Sequence, residues 1–279
     1  MDAPESSSFE PGDLVVGIVR RPDPVPCNFC AAGEWDMCRN GGYTERGIKE
    51  SDGYGSEQFH IEPGFAVKVD PALGALGVLL EPASVVAKAW DHAYRIGTQS
   101  RAWNPQSALI TGAGPIGLLA ALMGTQRGLE VQVFDRISDG PKPALVKDLG
   151  ATYRSGDLSA VAKLTPDIII ECTGATPVIA DVVTRSAPSG IVCLAGVSSG
   201  GHAINLDLGD LNRRLVLEND VIFGSVNANR SHYESAAAAL AKADRNWLAR
   251  LLTRRVPLDS WQQAFQRMPD DVKVIVEFS

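Results

Sequence analysis

Two observations predict an α/β protein built on a doubly wound parallel sheet. The first is Ser107-Ala-Leu-Ile-Thr-Gly112-Ala-Gly114-Pro115-Ile116-Gly117-Leu-Leu-Ala-Ala, an apolar strand running into G-x-G-x-x-G, from which an apolar helix departs. The second is a series of short apolar runs at Leu129–Phe134, Asp167–Cys172 and Gly190–Ala195, separated by helical stretches. Strands that alternate with helices pair in parallel, because each helix returns the chain to the same edge of the sheet. In that context the glycines carry a mechanism. Gly112 permits a tight turn, Gly114 lets backbone N–H groups approach a pyrophosphate, and Gly117 allows close helix–strand packing. The helix N-terminus supplies the anion site. Asp135 closes the second strand 18 residues after Gly117, near the spacing of about 20 at which an acid reaches the ribose hydroxyls. Three glycines at an ordinary turn need none of this context. The chain is predicted to bind a dinucleotide on a Rossmann fold.

The remaining elements fall around that sheet. Gly12–Pro22 carries β-branched residues after a turn signal and reads as a strand, as does Phe65–Asp70. Residues 23–58 hold prolines, glycines, charges and three cysteines, and predict an irregular lobe. Leu79–Tyr94 has helical spacing, with Val85, Val86, Ala89 and Trp90 on one face. Asp220–Gly224 reads as the last strand of the parallel sheet. An Ala-rich helix after Tyr233 and a strand over Val272–Glu277 close the chain. Three parts are expected: a β-rich segment over 1–87, the dinucleotide-binding domain over 88–228, and a segment over 229–279. That last segment breaks the alternation, and is expected to return to the first part. Two domains would then frame a cleft for cofactor and substrate.

Composition narrows the function. The 279 residues are 45% hydrophobic and 21% charged, which fits a soluble globular protein with a full core. A net charge of −7 argues against nucleic acid or an anionic membrane as partner. The best candidate for a membrane span, Leu73–Trp90, is interrupted by Glu81-Pro82 and Lys88. The acidic, polar N-terminus is the opposite of a secretory leader. Five cysteines, three of them clustered, do not make a disulfide framework, so a reducing, cytoplasmic setting is expected.

Several residues could carry chemistry. Cys27, Cys30 and Cys38, spaced x2 and x7 in a Pro/Gly-rich loop, can point at one zinc ion, with Asp23, Asp36 or water completing the usual four ligands. Three free thiols would give the same pattern. Glu81 is a carboxylate inside an apolar run, where a charge calls for a partner or metal; taken alone, a solvent-facing acid favoured by the helix dipole explains it better. The loop Gly41–Gly55 mixes carboxylates, hydroxyls and glycines, as a polyol-binding loop or any exposed loop does. His60, His92, His202 and His232 have no metal-pair spacing, and Cys172 and Cys193 read as core residues.

These residues resemble the medium-chain, zinc-dependent dehydrogenases, and within them the glucose 1-dehydrogenases. The resemblance runs through Gly12-Asp-Leu-Val-Val, Val19-Arg-Arg-Pro22, Cys30-x7-Cys38, Thr44-Glu-Arg-Gly-Ile48, Asp52-Gly-Tyr-Gly-Ser56 and Leu80-Glu-Pro-Ala-Ser84. It continues through the glycine turn, Glu171-Cys-Thr-Gly-Ala175, Gly224-Ser-Val-Asn-Ala-Asn229 and Asp271-Val-Lys-Val274. It implies a GroES-like β domain beside the Rossmann domain, and oxidation of an aldose such as glucose at C1, with hydride passing to NAD(P) and zinc as Lewis acid. Carried over, Glu81 matches a residue at the catalytic metal and sugar. Glu45 matches a sugar-contacting carboxylate, and Asn227 an asparagine beside nicotinamide and substrate. Thr173 and Gly174 join Gly112, Gly114, Pro115, Ile116, Gly117, Asp135 and Arg136 at the cofactor. Relatives of this kind are commonly homo-oligomers.

Departures from the pattern accompany the match. Family members carry a metal-binding Cys-Gly-Thr-Asp and then a Gly-His-Glu ahead of the strand that here starts at Gly12. Neither motif occurs in these 279 residues, and Pro24 stands where the lobe's first cysteine would be. The GroES-like domain is therefore expected to be incomplete and the activity impaired, which keeps open a nucleotide-binding protein without dehydrogenase activity. A related polyol or alcohol dehydrogenase is the other alternative. Asp135 favours NAD by repelling a 2′-phosphate, whereas Arg136 could cover that phosphate and admit NADP.

Overall fold

The strand expected over Gly12–Pro22 is two strands, because the chain changes partners at Ile18. In the computed structural model, which describes residues 7–201 and 203–278, β1 (Val15–Gly17) pairs antiparallel with β5 (Ala66–Lys68). Ile18 then leaves that ladder: its N–H donates to the Phe65 carbonyl at 2.8 Å, and its own carbonyl accepts from the Tyr54 hydroxyl at 2.9 Å. The Tyr54 ring fills the space a side chain at residue 17 would need, which is why glycine stands there. From Arg20 the chain joins a different sheet of β2 (Arg20–Arg21), β3 (Thr44–Arg46) and β4 (Glu50–Ser51). The expected irregular lobe thus contains two short strands and a helical turn, α1 (Asn28–Ala31). The acidic N-terminus up to Ser6 and His202 lie outside the described residues.

A 3-10 stretch over Pro71–Leu79 feeds directly into α2 (Leu80–Gly97). Glu81-Pro82 and Lys88 therefore do not break the apolar run, contrary to expectation. By length and composition Pro71–Gly97 does qualify as a membrane-crossing helix, but two-thirds of its apolar window is buried inside the protein. Trp90, fully buried, donates its indole N–H to the Ala120 carbonyl at 3.2 Å. The helix is a core helix.

The chain divides into two compact units: Met1–Lys88 with Val226–Arg267 and Val274–Ser279, and Ala89–Ser225 with Met268–Lys273. The second holds the parallel sheet. Its elements are β6 (Ser107–Thr111), α3 (Pro115–Thr125), β7 (Glu130–Asp135), α4 (Lys142–Asp148), β8 (Thr152–Ser155), β9 (Ile168–Glu171), α5 (Thr176–Val182), β10 (Ile191–Leu194), α6 (Leu208–Glu218) and β11 (Val221–Gly224). The strand order is β11-β10-β9-β6-β7-β8, with every pairing parallel. Leu109, Phe134, Ile169 and Val192 form its core with Val161 and Val182. At roughly 25 cal/mol per Å2 of apolar surface removed from water, such burial is the main force holding helices on the sheet. β8 is not legible in the sequence, because Thr-Tyr-Arg-Ser at a sheet edge is half exposed and carries no apolar run. The closing segment adds α7 (Arg230–Ala241), α8 (Arg245–Leu251) and a two-stranded sheet of β12 (Leu252–Pro257) with β13 (Lys273–Glu277). β12, too, has no signal in the sequence.

Candidate functional site

Strand order reverses between β6 and β9, and in open α/β sheets ligands bind beyond the carboxyl ends of the strands at such a point. The loops after those two strands are the ones the sequence singles out. Gly112, at φ 90°, continues from β6 by donating to the Phe134 carbonyl at 2.7 Å. A Cβ on Gly117 would lie 1.7 Å from the Gly112 carbonyl oxygen, so only glycine lets α3 start this close to the turn. Gly114 differs. It caps α3, and a Cβ there would meet no protein atom of the described residues within 4 Å. Internal packing does not require this glycine; the open approach to the helix N-terminus suits a pyrophosphate. Pro115 and Ile116 follow as the first helical residues. A dinucleotide therefore fits the residues present.

Across the switch point, Glu171 builds the second loop. Fully buried at the end of β9, its Oε1 accepts from the Thr173 N–H at 2.6 Å, the Gly174 N–H at 3.1 Å, and both the Thr111 and Thr173 hydroxyls. Gly174 takes φ 64°, and a Cβ on it would strike the Val197 carbonyl. Glu171, absent from the expected site, holds Thr173 and Gly174 in place. Its signal in the sequence is a carboxylate that closes a strand of three isoleucines.

Asp135 ends β7 as expected, but much of its carboxylate faces protein. Oδ2 accepts from the Ala113 N–H at 2.8 Å and from Lys142 Nζ at 2.9 Å, and Oδ1 from the Ile137 N–H at 3.0 Å. Burial works to raise its pKa. The Ile137 and Ala113 N–H groups and the Lys142 ammonium outweigh it and hold the carboxyl below its ordinary value. Oδ1 keeps acceptor capacity for a ribose hydroxyl. Arg136 is exposed beside it.

The other unit gathers a polar cluster from distant segments. The β2–β3 register sets Arg20 opposite Glu45. Arg20 donates from Nε at 3.1 Å and Nη2 at 3.0 Å to Glu45 Oε1, and from Nη1 to the Asp36 carbonyl at 3.0 Å. Asn227 Nδ2 adds a third donor to the same Glu45 oxygen at 2.5 Å. Glu81, in the first turn of α2, lies close enough to buried Tyr233 for its charge to matter. Burial first, then Glu81, pushes the Tyr233 phenol up. The Tyr233 hydroxyl accepts from the Val19 N–H at 3.3 Å. The structure thus brings Glu45 and Asn227 into contact, 182 residues apart in sequence. Besides Glu45, the Gly41–Gly55 loop contributes to a cleft of about 640 Å3, lined by Arg46, Asp52, Ser56, Gln58, Phe59 and His60.

Cys27, Cys30 and Cys38 converge, with their sulfurs within 4.8 Å of one another. The N–H groups of Arg39 and Cys30 lower the Cys27 thiol to about 6, while burial raises Cys30. A zinc ion fits this donor set. Asp36 does not complete it, contrary to one expectation: its Oδ2 pairs with Lys88 Nζ at 2.8 Å and its Oδ1 accepts from Asn229 Nδ2 at 2.9 Å. A catalytic metal is another matter. Glu81 belongs to no group of three or more metal-ligating side chains among the described residues, so a three-ligand zinc centre is not assembled around it by them.

The parallel sheet and its glycine turn define a dinucleotide-binding protein of the Rossmann class. Residues 74–278 match the family described as glucose dehydrogenase C-terminus. The chain is 37% identical to the glucose 1-dehydrogenase of Methanocella arvoryzae, over 97% of this chain and 77% of that protein. It is 39% identical to glucose 1-dehydrogenase 1 of Caldivirga maquilingensis, over 96% and 76%. Among solved structures, Haloferax mediterranei glucose dehydrogenase in complex with NADP, Zn and gluconolactone superposes with a TM-score of 0.90 at 32% identity, covering 99% of this chain and 80% of that one. The chain belongs to the glucose 1-dehydrogenase family.

Proposed function

We propose that this protein oxidises an aldose such as glucose at C1 to the lactone, with NAD or NADP as hydride acceptor. One observation carries the sugar reading. Oε1 of Glu45 is saturated by three donors, whereas Oε2 has no hydrogen bond from the described residues, leaving one oriented carboxylate oxygen to accept from a hydroxyl. Charge-assisted bonds of this kind are about twice as strong as neutral ones, which suits a polyol competing with water. Asn227 lies against that carboxylate, and Glu81 supplies a second carboxylate in the same unit. Family membership supports the reaction: relatives of this chain are named glucose 1-dehydrogenases.

When bound, the nicotinamide takes up the hydride. The chain's own contribution is the pyrophosphate seat at Gly112–Gly117, the Thr173–Gly174 loop, and Asp135 Oδ1 toward the ribose. Arg136 and Lys142, beside Asp135, support NADP as well as NAD. Zinc in the lobe would be held by Cys27, Cys30 and Cys38 as a structural ion. Exposed Leu208, Val216 and Leu217 on α6 support self-association.

The test is absorbance at 340 nm with NAD and NADP over a panel of aldoses, polyols and simple alcohols. Turnover of aldoses alone is expected, whereas preference for a simple alcohol would overturn the substrate class. The second reading, a nucleotide-binding protein without dehydrogenase activity, rests on Glu81 standing outside any three-donor cluster among the described residues. It predicts tight NADP binding by fluorescence with no turnover. Metal analysis should find about one zinc per chain, lost in Cys30→Ser; a metal-free wild type would remove the lobe ion.

A further inference from the structure

Lys88, Asp36, Arg20, Glu45 and the Val226–Asn227 segment form a closed ring of buried polar contacts. Lys88 Nζ is 2.8 Å from Asp36 Oδ2, and their side chains are 2% and 0% exposed. The Asp36 carbonyl receives Arg20, Arg20 grips Glu45 Oε1, and Asn227 grips the same oxygen. The ring closes because Lys88 Nζ also donates to the Val226 carbonyl at 2.9 Å. Asn229, two residues beyond Asn227, ties the segment to Asp36 a second time. Two cations and two carboxylates leave the ring neutral, as charges removed from water require.

Its geometry exceeds what neutralisation needs. A lone Lys–Asp pair would settle the charges of α2, yet this ring directs both Arg20 and Asn227 to one oxygen of Glu45. Arg20 is further fixed by stacking 3.9 Å from the centre of the Tyr43 ring. Asn227 is held at φ 61°, a left-handed conformation unusual outside glycine, with its Oδ1 accepting from the Ala228 N–H at 2.8 Å. Strain of that kind persists only where surroundings over-determine it, and Lys88 and Asn229 bracket the residue on both sides. The product of the whole arrangement is one carboxylate oxygen, Glu45 Oε2, with no donor among the described residues.

We infer that Arg20, held by the main-chain carbonyl of Asp36 and by the Tyr43 ring, is a positioning residue for sugar recognition: it fixes Glu45 so that Oε2 meets one particular substrate hydroxyl. This rests on the sugar reading above. A lysine in place of Arg20 keeps the charge and loses the planar fork that holds Oε1 from two nitrogens. Glu45 then rotates, and the hydroxyl contact is lost without loss of the nucleotide site.

The experiment is calorimetric titration of glucose and gluconolactone, with NADP bound, into the wild type, Arg20→Lys and the charge-free double variant K88M/D36N. Melting temperatures and NADP affinity are measured on each. Arg20→Lys is expected to weaken glucose binding about 10- to 100-fold, the worth of one charge-assisted hydrogen bond, with NADP affinity unchanged within about twofold. K88M/D36N removes the Lys88 tie to the Val226 carbonyl and should give a smaller loss in the same direction, acting through Asn227. A set of monodeoxyglucoses supplies the readout that a merely structural role would not move. One of them, lacking the hydroxyl that meets Oε2, should bind weakly to the wild type and equally weakly to Arg20→Lys. Folded variants that bind glucose like the wild type would overturn the inference alone. A wild type that binds neither glucose nor lactone would overturn the sugar reading and this inference with it.

Discussion

The glycine turn and the Arg20–Glu45 ring prepare for ligands in opposite ways. The turn uses backbone: Gly112 and Gly117 are required by local geometry, and Gly114 leaves room at a helix N-terminus. The ring uses side chains from five separated segments, which grip one another and two main-chain carbonyls. A backbone site keeps its donors when a neighbouring side chain changes. A buried ion pair does not, since removing one member leaves the other charge to bear the cost of desolvation. The first site should therefore fail residue by residue, and the second as a unit.

Single removal of a ring charge gives the largest expected effect. Lys88→Met strands the fully buried Asp36 carboxylate and should cost about 3–5 kcal/mol in chemical denaturation. Adding Asp36→Asn should restore most of it, because both charges are then gone. A double variant no more stable than Lys88→Met would show that the ring does not act as one unit. The glycine turn should instead separate its residues. Gly117→Ala drives a Cβ into the Gly112 carbonyl and should cost about 3 kcal/mol, as overpacking does, together with nucleotide binding. Gly114→Ala should cost no more than about 1 kcal/mol as a poorer helix cap, yet weaken NADP binding at least about tenfold in a fluorescence titration. Equal behaviour of the two alanine variants would erase the distinction between packing glycine and ligand glycine.

The smallest effect belongs to Asp135. Its folded-state pKa is held below the ordinary value by N–H groups and Lys142. Its contribution to stability is therefore fully present above the unfolded carboxylate pKa of about 3.9 and is lost as pH falls through the lower folded value. The stability gap between wild type and Asp135→Asn should stay flat from neutral pH to about pH 5 and close at more acid pH. A gap that instead closes on the alkaline side would mean that Lys142, and not the carboxylate, sets it.

Local signals read well because they are short. The turn, Asp135 and the strands β6, β7, β9, β10 and β11 each announce themselves within a handful of residues, through apolar runs punctuated by glycine or acid. β8 and β12 carry no such run, since edge and tail strands face solvent on one side or both. Among site residues, Glu45 and Asn227 are marked by the family resemblance, but their contact is not. Arg20 stands in the sequence only as part of a motif, and Lys88 only as a charge in an apolar helix. Glu171 and Tyr233 take their roles from burial, which single positions in a sequence do not display.

By itself, then, the sequence determined the class of protein: a parallel α/β sheet with a dinucleotide turn, in a chain bearing the marks of the glucose 1-dehydrogenase family. Those are properties of contiguous residues, governed by backbone geometry and by the periodicity of apolar side chains. Only tertiary structure decided what the isolated charges do. It sent Asp36 to Lys88 instead of to the cysteine lobe, turned Asp135 partly toward Ala113 and Lys142, and saturated one oxygen of Glu45 while leaving the other open. A charge's role depends on which partners burial brings within about 3 Å of it, and no spacing along the chain specifies that distance.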